Sequence, residues 1–204
     1  MRLTTFLVSL VAVTSIVVTP ALACKGKKVI FEDSFDEADS GWGDVDNNDE
    51  MVIKDGKFTL KPKPNTVKFP SYSASLFDDV DMCITTKMAK NTNNDAMGAL
   101  TFWRTPGTSD MFMVGYFASG NASVQRRQKN NWLTLKDFPG LVNAQESNSI
   151  RITLKGNSLT AYINDKQLGT FKGINVADGS MIGLAAQHGE WEFSKLKVTT
   201  VPPN

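Results

Sequence analysis

Apolar and polar residues alternate with a period of two through most of this chain. In the clearest stretch Ile150, Ile152 and Leu154 alternate with Arg151, Thr153 and Lys155, and beyond Gly156-Asn157 Leu159, Ala161 and Ile163 alternate with Thr160, Tyr162 and Asn164. That period sends successive side chains to opposite faces of a strand, so two such runs joined by a tight turn predict a β-hairpin with one greasy and one wet face. Asn164-Asp165 supplies a second turn, because both residues tolerate the left-handed backbone that primed turns require. In the third run Leu168 and Phe171 have opposite parity, so Gly169 is expected to mark a bulge that resets the facing.

The same reading extends along the chain. Strands are predicted at Val29–Asp33, at Met51–Lys61 around an Asp55-Gly56 turn, at Ala74–Phe77, Asp81–Met88, Met97–Trp103, Met111–Phe117, Ala122–Gln128 and Trp132–Leu135, and, beyond the hairpin, at Met181–Gln187 and Trp191–Thr199. Pro62, Pro64 and Pro70 interrupt any ladder between the early strands. Trp42, between Gly41 and Gly43, is expected to fold onto a sheet edge. No segment carries a helical period, and strands recurring about every ten residues are the spacing of an all-β antiparallel sandwich.

The first 23 residues stand apart: Arg2, an apolar stretch from Phe6 to Val18, and Ala21-Leu22-Ala23 form a secretory signal peptide with a small-x-small cleavage site. The rest, 24–204, is expected to be one domain with residues 200–204 as a frayed tail, and no second stretch reads as a membrane span. Of 22 Lys and Arg residues only Arg2 is lost with the leader, leaving as many cations as the 21 Asp and Glu. Such neutrality argues against nucleic acid, or an anionic membrane, as a partner held by bulk charge. The expected form is a monomer, exported to the periplasm or beyond. Cys24 and Cys83 would there pair as a disulfide. The competing reading is a lipid on Cys24, directly after the cleavage site, although Ala21 stands where bacterial lipoproteins usually carry Leu.

The stretch Ser149–Asn157, the downstream Tyr162-Ile163-Asn164-Asp165, Met181-Ile182-Gly183-Leu184 and the closing Glu192–Val198 resemble the C-terminal half of concanavalin A-like sandwiches. Within that group the laminin-G-like modules and the bacterial keto-disaccharide-hydrolase-like domains are nearest, the latter also in the opening Phe31-Glu32-Asp33-Ser34-Phe35 and Gly41-Trp42. The resemblance implies two stacked, curved antiparallel sheets in jelly-roll order, with a concave face that often receives glycans. It carries fold better than activity, because the shared residues are mostly hairpin-making ones.

Candidate chemistry is sparse. A glycoside hydrolase needs two carboxyl groups flanking one bond, and the Glu-x-Asp-x-x-Glu series of the sandwich-fold glucanases is missing. Glu190 and Glu192, of equal parity across Trp191, are the weak catalytic candidates. His188 is the only histidine, which removes a multi-histidine metal site, so no metal ligands are assigned. The oxygen-rich run from Asp44 to Glu50 could hold calcium but lacks the EF-hand Gly and Glu, and a solvated turn is the simpler expectation. Sugar recognition asks instead for aromatic faces and planar polar groups. Trp103, Arg104, Tyr116, Arg126, Trp132, Gln187 and His188 are the candidates, with Gly183 and Ala185 leaving room above the sheet; Arg126 and Arg127, being successive, face opposite ways. The expected function is a lectin-like, non-catalytic carbohydrate-binding module. The alternatives are a glycoside or keto-disaccharide hydrolase, and a structural envelope protein without a small ligand.

Overall fold

The computed structural model describes residues 24–43, 45, 49–104, 107–173 and 179–203. The expected leader at 1–23 and most of the candidate calcium run, at 44 and 46–48, lie outside the described residues. Among the described residues fifteen strands follow in chain order: β1 (Val29–Asp33), β2 (Met51–Lys54), β3 (Lys57–Leu60), β4 (Val67–Lys68), β5 (Ser71–Phe77), β6 (Val80–Lys90), β7 (Met97–Arg104), β8 (Met111–Phe117), β9 (Ala122–Gln128), β10 (Asn131–Phe138), β11 (Asn148–Lys155), β12 (Ser158–Ile163), β13 (Lys166–Lys172), β14 (Ser180–Gln187) and β15 (Glu190–Thr200). The described helical structure is a single 3₁₀ turn at Ser40–Trp42.

The strands form two antiparallel sheets. One has eight strands in the order β13-β12-β11-β6-β15-β3-β2, with β1 also paired to β15; the other has seven in the order β10-β9-β8-β7-β14-β4, with β5 also paired to β14. The chain passes from one sheet to the other after β3, β5, β6, β10, β13 and β14. This is a β-sandwich in which neighbours in space are distant in sequence.

The inner faces follow the alternation. From the eight-stranded sheet come Phe58, Leu60, Met82, Ile84, Ile150, Ile152, Leu154, Leu159, Trp191 and Phe193, and from the other Leu100, Phe102, Phe112, Val114, Tyr116, Val124, Ile182 and Leu184, all in one buried cluster. Trp191 packs edge-on to Tyr116 at 5.3 Å. It lies so close to β7 that a Cβ on Gly98 would meet its Cε3 at 2.3 Å, so only glycine fits there.

Bulges decide where the alternation breaks. Ala161 pairs with Gly169 but Tyr162 with Gln167, so the ladder shifts at Leu168-Gly169. Leu168 is buried and Phe171 packs on the same core, as the Gly169 reading anticipated. Asn164 and Asp165 are both left-handed, at φ 49° and 61°. In β15 the register shifts between Ser194 and Lys197, which brings Leu196 inward with Phe193.

Two expectations are revised, and the expected disulfide is present. Trp42 goes beyond a sheet edge: it is 2% exposed, packs on Phe35, Phe58 and Tyr72, and donates its indole N–H to Asp33 at 2.7 Å, so it plugs the core. Its Tyr72 neighbour, desolvated and bonded to Asp39, has its phenol held above the ordinary value. Strand β15 runs through Thr200, whose N–H donates to the carbonyl of Lys28 at 2.9 Å, so the tail begins at Val201. Cys24 and Cys83 form a disulfide with Cα atoms 5.5 Å apart, and a bridged Cys24 sulfur has no thiol left to carry a lipid.

Candidate functional site

Cross-strand pairing lays the outer face of the seven-stranded sheet out in rows. Ala185, Ala99, Gly115 and Ser123 form one row across β14, β7, β8 and β9. Gly183, Thr101, Met113, Gln125 and Thr134 form the next, reaching β10. Met111, Arg127 and Trp132 form a third. The two central rows are mostly small side chains, yet Ala99, Thr101, Met113, Ser123 and Ala185 are buried, and a Cβ on Gly183 would meet the Pro70 carbonyl at 2.4 Å, so Gly183 and Ala185 do not leave the room above the sheet that was expected of them. Met97, Ala99, Met113 and Ala185 make a second buried apolar cluster, separate from the core, with Phe69 and Phe117 packed against it.

One corner of this face concentrates charge and aromatic surface. The Arg127 guanidinium lies over the Phe69 ring at 5.1 Å and the Trp132 ring at 5.7 Å, and the two rings are 5.9 Å apart. Arg104 reaches the same corner, donating through Nη1 to the Phe69 carbonyl at 3.0 Å and to Ser71 Oγ at 2.6 Å, and through Nε to the Thr108 carbonyl at 3.3 Å. Burial, and then the positive charge of Arg127, pull the Arg104 guanidinium below its ordinary value; arginine nonetheless stays protonated at neutral pH. Two buried side-chain atoms on this face have no hydrogen-bond partner, Thr101 Oγ1 and Arg127 Nε. Buried polar groups are nearly always paired, so these two stand out.

The structure gathers only part of the candidate set. Arg104 and Trp132, 38% exposed, belong to this corner. Trp103 does not: its backbone turns left-handed at φ 52°, which breaks the alternation and folds the ring back onto Phe102 and Phe112 in the core. Tyr116 is a core residue, fully buried, with its hydroxyl donating to the Thr86 carbonyl at 2.8 Å; burial raises its phenol pKa, so it stays neutral. Arg126 shares the inward parity of Ala122 and Val124 and lies over Phe112 at 5.3 Å on the inner side. Gln187 keeps the outer face but pairs with Met97, whereas Arg104 pairs with Met181 at the opposite end of the same two strands, roughly 20 Å away at about 3.3 Å per residue. His188, left-handed at φ 53°, sits in the corner linking β14 to β15, its carbonyl accepting the Trp191 indole N–H at 3.2 Å. Phe69, which the sequence did not single out, and Arg127, named there only beside Arg126, complete the corner. Phe69 lies in the proline-flanked connector, where no periodicity marks it, and only the pairing register distinguishes Arg127 from Arg126.

Glu190 and Glu192 are elsewhere altogether, on the outer face of the eight-stranded sheet. Glu190 pairs with Lys61 at 3.5 Å and Glu192 with Lys57 at 2.9 Å. Glu192 lines a small cavity of about 180 Å³ with Thr85, Lys87 and Ser194. A larger one of about 330 Å³ on the same sheet is lined by Arg151, Lys155, Thr160, Tyr162 and the Val201–Pro203 tail. Among the described residues no group of three or more His, Cys, Asp or Glu could hold a metal ion.

No protein-family model matches the chain, and no curated protein matches it in sequence. Solved structures do match in fold. The carbohydrate-binding module CBM66 from Bacillus subtilis aligns with a TM-score of 0.60 at 12% identity, over 70% of this chain and 86% of that one. The Bacillus licheniformis β-glucanase aligns with a TM-score of 0.62 at 12% identity, over 83% and 97%. The laminarinase catalytic domain from Thermotoga maritima aligns with a TM-score of 0.61 at 8% identity, over 86% and 99%. At such identities the likeness establishes the fold, a concanavalin A-like jelly roll.

Proposed function

We propose that this chain is an exported, non-catalytic carbohydrate-binding module whose ligand lies on the outer face of the seven-stranded sheet, against Trp132, Phe69, Arg104 and Arg127. The observation that carries this reading is a corner where two aromatic rings and two guanidinium groups meet on that face. Aromatic faces cover the C–H surface of a sugar ring, and planar polar groups bond its hydroxyls. Similar folds among carbohydrate-binding and carbohydrate-cleaving proteins support a saccharide partner.

The non-catalytic part rests on what the face lacks. Strands β7, β8, β9 and β14 contain no Asp or Glu, and Asp137 on the outlying β10 is the one acidic residue in the five strands from β7 to β10 and β14. Acid–base cleavage of a glycosidic bond needs two carboxyl groups, about 5–9.5 Å apart depending on mechanism. Export fits the disulfide, and no helix among the described residues is long and apolar enough to cross a membrane.

The test is a glycan array on the mature protein, with and without calcium, followed by calorimetry of the hits on Trp132→Ala and Phe69→Ala. Binding that both variants weaken, with no new reducing ends formed over hours, is the expected result. Release of reducing sugar that Glu190→Gln or Glu192→Gln abolishes would establish the hydrolase instead. An array without hits would favour a structural envelope role.

A further inference from the structure

We infer that the saccharide bound on this face is anionic, with a carboxylate or sulfate group seated between Arg104 and Arg127. This rests on the carbohydrate reading above and goes one step further, to the charge class of the ligand.

The argument begins with what the two guanidinium groups are given. Arg104 bonds two backbone carbonyls and one hydroxyl, of Phe69, Thr108 and Ser71. Arg127 bonds the Ser109 carbonyl at 3.3 Å and the Asn130 side-chain oxygen at 2.9 Å. Every one of these acceptors is neutral. Among the described residues neither group has a carboxylate in ion-pair range. Asp110, the acidic residue of the same corner, accepts the Lys129 backbone N–H at 2.8 Å.

Elsewhere the protein treats a buried guanidinium differently. Arg151, on the other sheet, holds Asp81 at 2.8 Å and lies over the Tyr162 ring at 4.5 Å. Two arginines brought together without a counter-ion repel one another, and the flanking Phe69 and Trp132 rings, by excluding water, strengthen that repulsion. Unused donors remain on both: the Nη2 protons of Arg104, and Arg127 Nε, which is buried and unpartnered. A planar carboxylate or a sulfate ester accepts two or more such N–H groups at once and supplies the missing negative charge. A neutral sugar could fill the hydrogen bonds but would leave the charges uncompensated.

The experiment is calorimetric titration of the mature protein with matched pairs: oligogalacturonate against its methyl-esterified form, and a sulfated galactan oligosaccharide against its desulfated form. At least one acidic member should bind about tenfold or more tightly than its neutral counterpart, and the carboxylate and sulfate arms show which group is recognised. That preference should weaken as salt is raised from about 20 to 500 mM. Arg127→Gln and Arg104→Gln should each remove the preference and the salt dependence, with near-ultraviolet circular dichroism confirming the fold. If either variant fails to fold, the wild-type pairs and the salt titration decide. Equal or tighter binding of the neutral members overturns the anionic inference and leaves the carbohydrate reading standing. No binding by any member, together with an empty glycan array, overturns both.

Discussion

Opening the Cys24–Cys83 bridge should lower stability without changing the fold, and the size of the effect can be worked out from the loop it closes. The two cysteines are 59 positions apart. Constraining a loop of that length in the unfolded chain is worth about 4 kcal/mol at 25 °C on the chain-entropy model. A domain of this size loses about 2–4 °C of melting temperature per kcal/mol, so the ceiling is a drop of about 8–16 °C. The native state should survive, because the segment is also held by the Lys25 N–H donating to Asp81 at 2.6 Å and by the β1–β15 ladder from Val29↔Thr199 to Asp33↔Leu196. The assay is thermal and urea unfolding of the oxidised protein beside a Cys24→Ser/Cys83→Ser variant. The variant should melt lower and, having a more expanded unfolded state, show a larger urea m-value. A melt within about 2 °C of the wild type with an unchanged m-value, or two titratable thiols in the oxidised sample, would refute the reasoning.

Three further outcomes are expected. Arg151→Met leaves the fully buried Asp81 with only Thr153 and the Lys25 N–H, and should cost about 3–5 kcal/mol in urea unfolding, with Asp81→Asn added on top restoring part of it; a cost below about 1 kcal/mol would show that the pair is not holding the sheet. Gly98→Ala drives a methyl into Trp191 and should cost about 1–3 kcal/mol, partly recovered by Trp191→Phe; a neutral Gly98→Ala would mean the ring can move aside. Glu50 bonds Lys68 at 2.7 Å and accepts the Lys63 N–H at 3.0 Å, in that order pulling its carboxyl below the usual 4.5. Its folded pKa being the lower one, its contribution is complete above that usual value and disappears as pH falls through the depressed one. The stability gap between wild type and Glu50→Gln should therefore be constant near neutrality and shrink below about pH 4.5, and a gap unchanged down to about pH 3 would contradict it.

The candidate site was legible in part. Arg104 and Trp132 were readable because each flanks a strand whose polarity changes abruptly, at the end of β7 and the start of β10. Trp103 and Tyr116 misled because an aromatic on a strand looks alike whether it faces a core or a ligand. For Tyr116 the neighbouring parity favoured the core, and for Trp103 a left-handed residue reversed it. Glu190 and Glu192 share a face, as their spacing requires, but on the other sheet from the aromatic corner: the His188-Gly189 corner carries the chain across the sandwich just before them.

By itself the amino-acid order determined the strands, the hairpins at Gly156 and Asn164, the bulge near Gly169, and with them an antiparallel sandwich. Each of these follows from side chains a few positions apart, and alternation and turn chemistry are local properties of the backbone. The tertiary structure alone decided that Phe69 meets Trp132 and Arg127, that Arg104 joins them without a carboxylate, and that Gln187 lies at the other end of the same strand pair. Those outcomes depend on which strands pair and in what register. Register is set by the burial of whole faces against each other, a quantity no short stretch of the chain contains.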